Sequence, residues 1–197
     1  MILAVDPGEK MGLAIVNPLL RRIASHRSAL PACEVVRVAT SWEGLGPLPE
    51  IDEGVVEYQY GGRIHRGPRR VSAASVIKLA FRAGHAAALI PAPIRYALAP
   101  QVWKGSLCSG GGTIAKAAFC NRISRNLTDS ERAQVWQFPE NRRLDVLDAI
   151  GLAWAVAHMS PGDLARHVIH EDGLFLTHSN ALSGAVTGGF RAAKGKT

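Results

Sequence analysis

Acidic side chains are scarce in this chain, 16 against 23 Lys and Arg, so those set in apolar surroundings stand out. Asp6 ends the apolar run "ILAVD" and is followed by Pro7 and Gly8. Glu57 lies inside "GVVEYQY" (54–60), and Asp145 and Asp148 lie in "LDVLDAIGLAWAVA" (144–157). A spacing of three puts both aspartates on one face of a helix, in or near its first turn. Each acid has an ordinary structural reading: a turn residue, an exposed member of an edge strand, or first-turn acids favoured by the helix dipole. Burying one carboxylate is costly, however, and gathering several without a cation is prohibitive. If the four converge, a divalent metal is the economical explanation. Oxygen ligands without a Cys or His set favour Mg²⁺ or Mn²⁺ over zinc.

The charge distribution points to a polyanion. The formal net charge is +7, and no acid occurs between Glu57 and Asp129, a stretch that holds eleven Lys or Arg. Four of these, Arg63, Arg66, Arg69 and Arg70, crowd the Gly-punctuated loop "GGRIHRGPRR" (61–70). A long stretch of one sign creates a field that attracts nucleic acid, although a solvated basic surface would have the same composition.

The elements that must carry these residues read as an α/β domain. Strands are predicted at 2–6, 11–16, 33–40, 54–60 and 94–98, the first three antiparallel and the later ones alternating with helices. Residues 41–53 hold two Gly, two Pro and four acids and read as a loop. Helices are predicted at 72–89, capped by Ser72, and at 113–126 and 143–159; 98–105 reads as a short connector and 106–113 as a Gly-rich loop. The 72–89 helix is apolar nearly all round, so a second face needs cover. A partner subunit, giving a homodimer, or a second layer of the same chain would supply it.

At 197 residues, 47% of them hydrophobic, the chain can bury a real core. No apolar run approaches the roughly 20 residues of a membrane span, and no secretory signal is evident at the N-terminus. Three scattered cysteines form neither a metal set nor a disulfide framework. The expectation is a cytoplasmic protein without a membrane role. The last 20 residues are small, polar and basic, and are expected to be partly mobile.

Taken together, "AVDPG" followed by "GLAIV", strand "VVEYQY" and helix "LDVLDAIGLAWAVA" resemble the motifs of RuvC-type Holliday-junction resolvases, in the ribonuclease-H-like nuclease superfamily. "SAASVIKLAFRAG" (72–84) stands where that family has its central helix, and "YALAPQVWKGSLCSGGGTIAKAAF" (96–119) is similar to its lysine-bearing segment. The resemblance covers residues 1–159 and implies a ribonuclease-H-like fold, a five-stranded mixed sheet flanked by helices, with 160–197 a C-terminal extension. It implies that Asp6, Glu57, Asp145 and Asp148 are the metal-binding catalytic carboxylates, around two Mg²⁺ or Mn²⁺ per site. Lys104 and Lys116 match phosphate-contacting lysines, Lys116 also counting as catalytic. Tyr60 matches an aromatic that stacks on a base near the crossover, where an aromatic face tolerates any sequence. The short 41–53 segment departs from the family, which carries a helix between its third and fourth strands.

The expected activity is paired nicking of four-way DNA junctions by a homodimer, leaving 5′-phosphate and 3′-hydroxyl ends. The residues also admit a nuclease of broader branched-DNA or RNA-directed type, a catalytically silent binder of branched DNA, or an ATP-binding fold of the actin and sugar-kinase type. They say nothing of a helicase partner.

Overall fold

The computed structural model describes residues 1–8, 10–19, 33–58, 73–107 and 116–170. Five strands, β1 (Ile2–Asp6), β2 (Gly12–Pro18), β3 (Cys33–Ala39), β4 (Glu53–Glu57) and β5 (Ile94–Leu98), form one sheet in the order β3-β2-β1-β4-β5. β1, β2 and β3 are antiparallel neighbours, whereas β4 runs parallel to β1 and β5 parallel to β4. This is a five-stranded mixed sheet flanked by helices, an α/β fold with the strand number that the family resemblance implies.

Alternation along the strands sorts the core into two layers. Ile2, Ala4, Ala14, Val16, Val55, Tyr96 and Leu98 face one side, where they pack with Trp103, Phe119, Ile123, Ile150 and Trp154. Leu3, Val5, Leu13, Ile15, Val56 and Ala97 face the other, against Ala83, Ala86, Ala87 and Ile90. The second layer belongs to α1 (Ala73–Leu89). The first belongs to α2 (Pro100–Leu107), α3 (Lys116–Arg125), α4 (Asp129–Trp136) and α5 (Glu140–His158). Past α5, a helical turn at Pro161–Leu164 leads back to the sheet edge, where Val168 bridges Tyr96.

Several elements differ from the sequence reading. The connector at 98–105 is helix α2: Pro100 supplies the fixed φ suited to a first helical position, and Trp103 and Leu107, four apart, are buried on one face. Helix α4 was not anticipated. Its start is a capping box, with Thr128 accepting from the Glu131 N–H and the Glu131 carboxylate accepting from the Thr128 N–H. The other Glu131 oxygen accepts from Val35 N at 2.8 Å, tying α4 to β3. Helix α5 begins at Glu140, three residues earlier than expected, so Asp145 and Asp148 stand beyond its first turn and Glu140 is the first-turn acid. β4 ends at Glu57, short of Tyr60. Between β3 and β4 there is a single 3-10 turn, Glu43–Leu45, as the Gly- and Pro-rich composition requires.

The all-round apolar character also resolves into two cases. Helix α5 is the one buried on every side, from Val146 to His158. On α1 Ala83, Ala86 and Ala87 are buried while Ile77 (68%) and Phe81 (77%) stay exposed, so no described element supplies the second layer there. Among the described residues no helix is long and apolar enough to cross a membrane.

Candidate active site

The site forms where parallel strands end. β1 and β4 pair in register through Val5 and Val56, so Asp6 and Glu57 are the next residue on each, at the carboxyl ends of adjacent strands. Both follow the parity of Ala4 and Val55, so both side chains turn toward α5. Strand ends of this kind are where open α/β sheets expose functional groups.

A glycine brings the helix to them. Gly12 lies opposite Asp6 in the β1–β2 ladder, and a Cβ there would sit 2.0 Å from the Asp145 carbonyl oxygen. The missing side chain lets α5 cross close above β2 and delivers Asp145 and Asp148 over the strand ends. Asp148 is nearly fully buried and Asp145 mostly so.

Two lysines partly offset this charge. Lys116, the first residue of α3, places Nζ 2.8 Å from Asp145 Oδ1 and 2.9 Å from Asp148 Oδ2. Lys104 on α2 lies 3.4 Å from the other Asp148 oxygen. Opposing acids hold the Lys116 ammonium above its ordinary pKa: burial works against the charge, and the bonds to Asp145 and Asp148 outweigh it. Asp6 is pushed up to about 8, first by burial and then by the negative charges of Glu57 and Asp148. Glu57 is raised too, chiefly by burial, against the pull of Lys104 and a hydrogen bond from Trp103. Asp6 therefore feels the other three acids.

Among the described residues no three acidic, His or Cys side chains already stand at the spacing of a closed metal cage. The donor chemistry nevertheless fits a hard divalent cation. Four carboxylates face two ammonium groups, and the Lys116 ammonium bridging Asp145 and Asp148 is a stand-in cation between two oxygen ligands. Beside burial, Asp6 is lifted by the negative charges of Glu57 and Asp148, which such an ion would neutralise.

Three contributors were not singled out from sequence. Trp103 Nε1 donates to Glu57 Oε2 at 2.9 Å. Cys120 Sγ lies 3.8 Å from Asp148 Oδ1, its thiol pushed up to about 12 by burial and then by that aspartate, so it is a neutral neighbour. Gly12 is the third. The only local signal for Trp103 was its place beside Lys104 in "QVWKG". Tyr60, Arg63, Arg66, Arg69 and Arg70 lie outside the described residues.

No family model matches the chain, and no curated protein matches it. Among solved structures it is similar to RuvC of Thermus thermophilus, at 16% identity over 78% of this chain and 91% of that one, with a TM-score of 0.42. It is likewise similar to T. thermophilus RuvC in complex with a Holliday junction substrate, at 16% identity over 78% and 90% of the two chains, with a TM-score of 0.40.

Proposed function

We propose that this protein is a divalent-metal-dependent endonuclease that resolves four-way DNA junctions, with residues 1–159 as the nuclease domain and 160–197 as an extension. The observation that carries the reading is the convergence of Asp6, Glu57, Asp145 and Asp148, from two strand ends and one helix, around two lysines. A chain with 16 acids and a net charge of +7 that gathers four of them in one buried place has a use for a cation there. A pure DNA binder would gain nothing from a negative cluster facing phosphate.

Asp6, Glu57, Asp145 and Asp148 would hold Mg²⁺ or Mn²⁺, two ions per site. When bound, the ions supply activation of an attacking water and charge stabilisation of the leaving 3′ oxygen, the chemistry that leaves 5′-phosphate and 3′-hydroxyl ends. Lys104 and Lys116 carry compact charge to the non-bridging oxygens of the phosphate. The sheet and α5 hold the acids rigidly, so the site is organised before substrate arrives. Arg63, Arg66, Arg69 and Arg70 bind backbone phosphates, and Tyr60 stacks on a base at the crossover. A second copy of the chain covers Ile77 and Phe81 on α1, making a two-fold dimer whose two sites nick opposing strands.

The test is a gel assay with end-labelled four-way junction, flap, plain duplex and RNA–DNA hybrid, with Mg²⁺, with Mn²⁺ and with chelator. The expected result is metal-dependent cutting of the junction in preference to duplex, at paired positions. Preference for the hybrid would replace this reading with a ribonuclease, and junction binding without cutting under any ion would replace it with a binder.

A further inference from the structure

Glu57 is held by a residue that also lies against Lys104. Trp103 is completely buried on α2, and its indole N–H, which can only donate, meets Glu57 Oε2 at 2.9 Å. A buried N–H that lost this acceptor would find no water, so the bond resists rotation of the carboxylate as well as of the ring. The core does not satisfy every indole: among the described residues the N–H groups of Trp42 and Trp154 are buried without an acceptor. Trp103 is thus distinguished by having the site for its partner.

The ring is fixed in turn. Phe119 packs edge-on against it, centroids 5.1 Å apart and planes at 79°. Gly151, one turn beyond Asp148 on α5, makes room for the pair, since a Cβ there would come within 3.0 Å of Trp103 Cζ3 and 2.9 Å of Phe119 Cε1. Lys104 Nζ sits 4.7 Å from the Trp103 ring centroid and 5.3 Å from that of Phe119, a cation over two aromatic rings. Phe119 itself is one turn along α3 from Lys116. The strand that carries Glu57, the helix that carries Asp148 and the two helices that carry the lysines therefore meet at one aromatic pair.

We infer that Trp103 is a positioning residue for Glu57: its N–H engages one carboxylate oxygen and presents the other to a divalent cation, while its ring face steadies Lys104 beside Asp148. This rests on the nuclease reading, and it assigns a role to a side chain that touches neither phosphate nor metal. A tryptophan serving only as core filling would be replaced by phenylalanine without consequence for the site.

The experiment compares wild type with Trp103→Phe, which keeps an aromatic ring and removes the donor. Free Mn²⁺ is titrated by electron paramagnetic resonance without DNA, and junction cleavage is measured in single turnover at saturating metal. The expected result is about 10- to 100-fold weaker Mn²⁺ binding and a comparable fall in rate, with junction affinity in Ca²⁺ changed less than about twofold. Mn²⁺ affinity and rate equal to wild type would overturn the proposal. A second measurement needs no variant: in wild type labelled with ¹⁵N at the indole nitrogens, one of the four tryptophan N–H signals is expected to move on adding Mg²⁺, and four unmoved signals would overturn it. Wild type that binds Mn²⁺ but cuts no branched DNA ends the nuclease reading alone, and the positioning role is then decided by the Mn²⁺ affinity of Trp103→Phe.

Discussion

At the scale of single residues, Asp6 carries the sharpest consequence. With its pKa pushed up to about 8 by burial and by Glu57 and Asp148, the metal-free folded protein binds a proton that the unfolded chain releases near pH 4. Between those values the folded state holds more protons, so stability falls as pH rises through that window and levels off above it. Melting curves in chelator are expected to show this decline, to lose most of it in Asp6→Asn, and to shift upward at pH 8 when Mg²⁺ is added, because a ligand that binds only the folded state stabilises it. The four acids were legible in the sequence because carboxylates are rare in apolar strands and in an apolar helix. Trp103 was not: its acceptor is 46 residues away, and nothing local distinguishes an indole that bonds a carboxylate from one that fills a core. Tyr60 and the arginines of 61–70 rest on the resemblance and on charge.

At the scale of elements, the geometry depends on how closely α5 crosses the sheet. Gly12→Ala would set a methyl group 2.0 Å from the Asp145 carbonyl oxygen, a clash with backbone that no rotamer relieves. The expected effect is a loss of about 1–3 kcal/mol in stability and a displaced Asp145–Asp148 pair, measured as a lower melting temperature together with weakened Mn²⁺ binding. Helix α1 makes a separate prediction. Phe81→Glu alters a side chain that is 77% exposed and should leave the fold intact, while sedimentation velocity is expected to show a shift from dimer to monomer. The sheet and its directions were readable from alternating apolar runs and turn residues. Helix α2 was not, because eight residues beginning at Pro100 look like a connector until Trp103 and Leu107 have a core to enter. Helix α4 did announce itself through Thr128 and Glu131, three apart; the polar sequence around that capping box hid it.

At the scale of the whole molecule, a basic chain carries an acidic cluster. On the proposed function, the net charge of +7 would attract the DNA backbone at long range, and the carboxylates would repel it locally until a cation is present. Junction affinity is accordingly expected to fall steeply and linearly on a log–log plot against salt, as counterions are released from each phosphate contacted. Binding should also be tighter in Ca²⁺ than in chelator, which filter binding at fixed ionic strength would measure. The overall charge asymmetry was plain from composition, but the neutralisation of Asp145 and Asp148 by Lys104 and Lys116 was not, because it depends on α2 and α3 converging on α5. On the proposed function, four carboxylates form one metal-dependent cutting site. Single-turnover cleavage of a labelled four-way junction in Mg²⁺, by wild type and by Asp6→Asn, Glu57→Gln, Asp145→Asn and Asp148→Asn, tests it most directly. Each substitution is expected to lower the rate by at least about 100-fold while the junction is still bound; variants that cut at the wild-type rate would mean that these carboxylates do not form the cutting site.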